Sequence, residues 1–138
     1  MKLVIVFALV LAILLGLDLI WLGTTLGTLY RPNMGNLLSP TPNLWAAAGF
    51  YVVYGFALSY LIILPAASTE GRVNHRDLTV RAGLFGLAAF ATYDLTGLSV
   101  IRDWPLTLSL IDMAWGTFAA AVAANLSVVG LRLLGQIR

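Results

Sequence analysis

Four apolar stretches separated by short polar connections organise the chain. They cover residues 3–29, 44–64, 80–101 and 106–134. Each reaches the ~20 residues that cross ~30 Å of hydrocarbon at ~1.5 Å per residue. The first and last are longer than that, so they tilt or project beyond the bilayer. The second carries no charge and is expected to stop at Pro65; the third begins beside Arg81, and the fourth closes around Arg132. Residues 30–43 hold Pro32, Gly35, Ser39, Pro40 and Pro42, a composition that predicts a loop. Residues 66–79 hold Glu70, Arg72, His75, Arg76 and Asp77 and read as a solvated loop. Residues 102–105 allow only a tight turn, so the third and fourth helices are antiparallel neighbours. The pattern predicts an all-α integral membrane protein. It is one domain over residues 1–138, with four transmembrane helices in an antiparallel up-down bundle.

Composition agrees. Of 138 residues, 60% are hydrophobic and only 10% charged, against about 25% charged in soluble domains. Without Cys, disulfides and thiol chemistry are excluded. His75 is the single histidine, so no haem or zinc centre built on several His is expected, and no cofactor. A net charge of +2 comes from a few Arg near helix ends and does not suggest a nucleic-acid partner. Lys2 and the apolar run behind it look like a signal peptide. The apolar character continues past Asp18, however, with no small-residue cleavage site, so the segment reads as an uncleaved first helix.

Charge asymmetry predicts orientation. Lys2, Arg72, Arg76, Arg81, Arg132 and Arg138 fall on one side, and only Arg31 and Arg102 on the other. Six against two places both termini in the cytoplasm. Trp45 and Trp104 then fall at the outer interface, where indoles are enriched.

Three aspartates interrupt the apolar stretches: Asp18, Asp94 and Asp112. A carboxylate at a helix centre costs roughly 2.5–3.5 kcal/mol on insertion scales. Asp94 and Asp112 each lie ~12–14 Å from the tight turn at ~1.5 Å per residue, and Asp18 lies ~16 Å deep if its helix ends near Leu29. The three acids are therefore expected in one layer of the outer half of the membrane. Small residues accompany them. Ala82, Gly86, Ala89, Tyr93 and Gly97 form a stripe on the third helix, and Leu108, Asp112, Trp115, Gly116, Ala119 and Ala123 one on the fourth. Ala48, Val52, Gly55 and Ser59 form another on the second, with Tyr51 and Tyr54 beside it. Such seams let helices approach closely and turn the acids towards protein. The layer holds no cation; only the stems of Arg31 and Arg102 could reach into it. At least one acid is expected to keep its proton and donate a hydrogen bond. Tyr51, Tyr54, Tyr93, Thr25, Thr92 and Thr96 are the expected partners.

Two D-x-x-W matches, Asp18 to Trp21 and Asp112 to Trp115, each put acid and indole on one helical face. As an inverted repeat they would suggest a transporter; as isolated matches, Trp21 and Trp115 are packing residues that roof the polar layer. His75 reads as a solvated loop residue, and Asn125 as an interhelical hydrogen-bonding residue.

The run Ala91-Thr92-Tyr93-Asp94-Leu95-Thr96, then Trp104-Pro105, then Asp112-Met113-Ala114-Trp115-Gly116 resembles a family of small bacterial membrane proteins known only as a domain of unknown function. Its signature looks like A-T-Y-D-L-T-N, a W-P turn and D-x-x-W-G. Asp18-Leu19-Ile20-Trp21, Tyr30-Arg31 and Phe50-Tyr51-Val52-Val53-Tyr54-Gly55 match as well. Gly97 departs from the pattern, standing where the family has Asn; it either weakens the polar layer or widens a cavity. The resemblance implies a four-helix protein of the bacterial inner membrane with the motif residues clustered; it supplies no activity.

Three functions follow from these residues. The first is binding or transport of a small molecule or cation in an outer-leaflet pocket lined by Asp18, Asp94 and Asp112. Tyr93, Thr96, Trp21, Trp115, Tyr51 and Tyr54 would surround the acids. The second is an integral-membrane enzyme acting on a lipid, with paired carboxylates as general acid and base. The third is an accessory subunit of a larger membrane complex. Expected partners are the lipid bilayer, a small-molecule or lipid ligand, and a second copy or larger assembly, since four helices are few for a complete pathway.

Overall fold

A computed structural model describes residues 1–68 and 71–137. Its long helices are α1 (Lys2–Leu37), α2 (Leu44–Ser68), α3 (His75–Val100) and α4 (Leu106–Leu133), each long and apolar enough to cross a membrane. No strand occurs among the described residues. Glu70 and Arg138, which enter the loop and orientation readings, lie outside the described residues.

Two helices outrun their expected ends, and proline chemistry explains how. Neither Pro32 nor Pro65 stops its helix. In α1 a π-helical turn, Leu26–Tyr30, precedes Arg31–Met34 and a closing 3₁₀ turn, Gly35–Leu37. In α2 a π-helical turn, Ser59–Ile63, precedes Leu64–Ser68. The residue just before each proline bonds five positions back, Arg31 N–H to Leu26 and Leu64 N–H to Ser59. In a regular helix the proline ring would strike the carbonyl four residues back. A widened turn carries the chain past that obstacle.

α3 begins earlier than its apolar run. The Asn74 side chain accepts from the Arg76 and Asp77 N–H groups at 3.1 and 3.2 Å. That cap satisfies the first turn and lets a polar segment continue the helix. His75 is therefore the first residue of α3, not a solvated loop residue. Half-buried, it joins a chain of polar groups between α3 and α4. Arg132 donates to His75 Nε2 at 3.0 Å, and His75 Nδ1 lies 2.6 Å from Asn125 Oδ1. Arginine only donates, so the proton of His75 belongs on Nδ1. Asn125 completes the chain by donating to Thr79 Oγ1 at 2.8 Å, the interhelical role expected of it.

The core occupies the half of the bundle nearest the termini. Val6, Val10, Leu58, Ile63, Leu78, Val128 and Leu131 are fully buried there. Near their middles α3 and α4 approach closely. A Cβ on Gly86 would overlap the Gly116 carbonyl, and one on Gly116 would overlap the Phe90 ring. The stripe on α2 packs along only part of its length. Gly55 sits against Leu11 and Phe7 of α1, whereas Ala48 and Val52 are exposed. The first part of α2, Leu44–Leu58, rests mainly on α1; from Ser59 onward α2 also meets α3 and α4. α2 thus leans away from α3 at the end opposite the termini.

Candidate functional site

The lean of α2 opens a cleft of about 720 Å³. This lies within the ~300–1,000 Å³ typical of small-molecule sites. Gly49, Phe50, Val53, Tyr54 and Ala57 of α2 form one wall, and Phe85, Ala89, Phe90 and Tyr93 of α3 another. The back wall is Asp18, Trp21, Leu22 and Tyr30 of α1 with Asp112 and Trp115 of α4. Val53 is 70% exposed and Tyr93 57%, so the mouth opens sideways, where lipid would lie.

The back wall is built from the two D-x-x-W segments. The indoles of Trp21 and Trp115 stack at 4.4 Å with planes 7° apart. Each N–H turns towards the acid of the other helix. Trp115 Nε1 donates to Asp18 Oδ1 at 3.1 Å. Trp21 Nε1 donates to the Tyr30 hydroxyl at 3.0 Å, and that hydroxyl donates to Asp112 Oδ1. Tyr51 completes the pattern by donating to Asp18 Oδ2 at 2.7 Å. Asp18 and Asp112 each receive a phenol, and each is tied to an indole. No Lys, Arg or His of the described residues pairs with Asp18, Asp94 or Asp112. The nearest candidates by sequence, Arg31 and Arg102, are exposed.

Tyr30 depends on the π turn. At about 100° per residue, Trp21 and Tyr30 of a regular helix would point about 180° apart. The π turn absorbs one residue and brings Tyr30 back by about 100°. A tyrosine also leans towards the start of its helix, which brings its hydroxyl down to Trp21 and Asp112.

Asp94 lies behind this wall. It is 2% exposed, beside Asp112, Ser109 and Trp104, and does not line the cleft. Its Oδ2 has no hydrogen-bond partner among the described residues. The Tyr54 hydroxyl is also buried without a partner among them, on a side chain 6% exposed that lines the cleft.

Of the residues singled out from sequence, Asp18, Asp112, Trp21, Trp115, Tyr54 and Tyr93 come together on the cleft. Tyr51 supports it through Asp18. Thr96 is exposed and does not line it. Thr25 and Thr92 donate to carbonyls of their own helices, Trp21 O at 2.6 Å and Ala88 O at 2.7 Å, rather than to the acids. Gly97 does not widen the cavity: the Trp104 indole occupies the space a Cβ would need. Trp104 is accordingly half-buried, with Nε1 donating to Ser109 at 3.0 Å, while Trp45 is 89% exposed. Tyr30 is the site residue that periodicity missed, because Pro32 placed it in a loop; the Tyr30-Arg31 match to the family was its signal. Among the described residues no three His, Cys, Asp or Glu are placed to hold a metal ion.

Fold and site together define a four-span membrane protein with an acid-walled cleft inside its bundle. Residues 3–129 match the family described as "Predicted membrane protein (DUF2177)", and the chain belongs to that family, of unknown function, as its motifs implied. No curated protein and no solved structure matches it significantly.

Proposed function

We propose that the cleft binds an amphipathic small molecule drawn from the bilayer. Its apolar part lies between α2 and α3, and its polar end meets Asp18 and Asp112. The observation that carries this reading is the cleft itself: about 720 Å³, apolar along α2 and α3, with carboxylates on its back wall. Two carboxylates oriented by phenols and indoles are an expensive arrangement in a membrane protein unless something uses them. The protein would sit in a bacterial inner membrane with both termini cytoplasmic, as the basic residues favour. If the ligand crosses the membrane, a second copy or larger assembly completes the path. A second reading, a lipid-modifying enzyme, draws on Asp94 beside Asp112, a pair able to pass a proton to and from a substrate.

Gly49 offers a test that leaves the acids intact. It lines the cleft, and a Cβ there meets nothing within 4 Å. Native mass spectrometry of protein extracted gently from its membrane should show a bound small molecule on wild type. The same molecule should be missing from a folded Gly49→Trp variant, in which the indole fills the cleft. Equal occupancy in both, or no adduct on either, would refute binding in the cleft.

A further inference from the structure

We infer that the cleft's ligand is a lipophilic cation: one apolar chain bearing an ammonium head. This deepens the binding reading above and rests on it.

The acids of the back wall meet no cation among the residues that line the cleft. Asp18 accepts from Tyr51 and Trp115, and Asp112 from Tyr30. These donors are neutral, so no described residue of the cleft supplies a positive charge to the two acids. A ligand that brings a positive charge gains from both acids. One that brings a phosphate or carboxylate meets repulsion, because no Lys, Arg or His lines the cleft.

The walls have the same preference. Trp21, Trp115, Tyr30, Tyr54, Phe90 and Tyr93 are aromatic residues of the cleft's lining. Aromatic faces attract cations, most strongly where water is excluded, and quaternary ammonium groups are held in such surroundings. The rest of the cavity is apolar and its mouth faces lipid, which suits a single alkyl chain. A zwitterionic phospholipid fits less well, since its phosphate would enter beside two acids.

Three dodecyl compounds with different heads separate these possibilities on the wild-type protein. Dodecyltrimethylammonium, dodecanol and dodecylphosphocholine are titrated into protein in lipid nanodiscs, with empty nanodiscs as the blank. Tryptophan emission, which the Trp21–Trp115 stack makes sensitive to the cleft, is the readout. The cation should bind at least about tenfold tighter than either other compound. Equal affinity for dodecanol would overturn the cation while leaving amphiphile binding intact. Equal affinity for dodecylphosphocholine would overturn it in favour of a zwitterionic lipid head. No saturable binding by any of the three would remove both this inference and the reading beneath it.

Discussion

At the scale of single residues, Tyr30 does most to join the back wall. Its hydroxyl accepts a hydrogen bond from Trp21 Nε1 and donates one to Asp112, so one oxygen links α1 to α4. Tyr30→Phe removes both bonds and leaves a carboxylate short of a donor. The expected loss is about 1.5–3 kcal/mol, the range for a hydrogen bond to a charged group, measurable as a shift in reversible unfolding in mixed micelles. Gly86 is the other sensitive position. A methyl there enters the Gly116 carbonyl, so Gly86→Ala should cost about 1–3 kcal/mol by overpacking. Stability equal to wild type would mean that α3 and α4 do not cross as closely as described. The sequence announced Gly86 and Gly116, because small residues in register signal a close crossing. It could not announce Tyr30, whose partner depends on helical phase beyond a proline.

At the scale of elements, the helices were legible from length and apolarity, and their ends were not. Composition marks where hydrocarbon ends, whereas caps and turn types decide where a helix ends. Asn74 extends α3 by a polar turn, and two π turns carry α1 and α2 past Pro32 and Pro65. The π turn in α1 also sets the direction of Tyr30, which yields a coupled prediction. Pro32→Ala removes the obstacle that favours the wide turn, so α1 relaxes towards regular pitch and Tyr30 swings off the Trp21 face. Pro32→Ala and Tyr30→Phe should then be non-additive, the double variant unfolding about where Tyr30→Phe does. Strictly additive losses would show that the π turn and the Tyr30 bonds are independent.

At the scale of the molecule, α2 leans, and the cleft follows from the lean. The three acids were expected in one pocket; the structure divides them, with Asp18 and Asp112 on the cleft and Asp94 behind. That the acids meet at one level of the bundle was readable from residue counts, although α1 runs on to Leu37 rather than ending near Leu29. Which face each acid turns to was not, because the rotation of one helix against the next is set by packing. The proposed orientation is tested by fusions. A fluorescent protein at either terminus should glow in the cytoplasm, and alkaline phosphatase there should be inactive; the reverse pattern would invert the topology.

The most direct measurement is the mapping of carboxyl accessibility with dicyclohexylcarbodiimide, an apolar reagent that reaches acids from the lipid phase. Membranes containing the protein would be treated, and labelled peptides located by mass spectrometry. Adducts on Asp18 or Asp112, prevented by Gly49→Trp, with Asp94 unmodified, are the predicted result. Labelling of Asp94 ahead of both lining acids, or labelling that Gly49→Trp leaves unchanged, would contradict a lipid-facing cleft walled by Asp18 and Asp112.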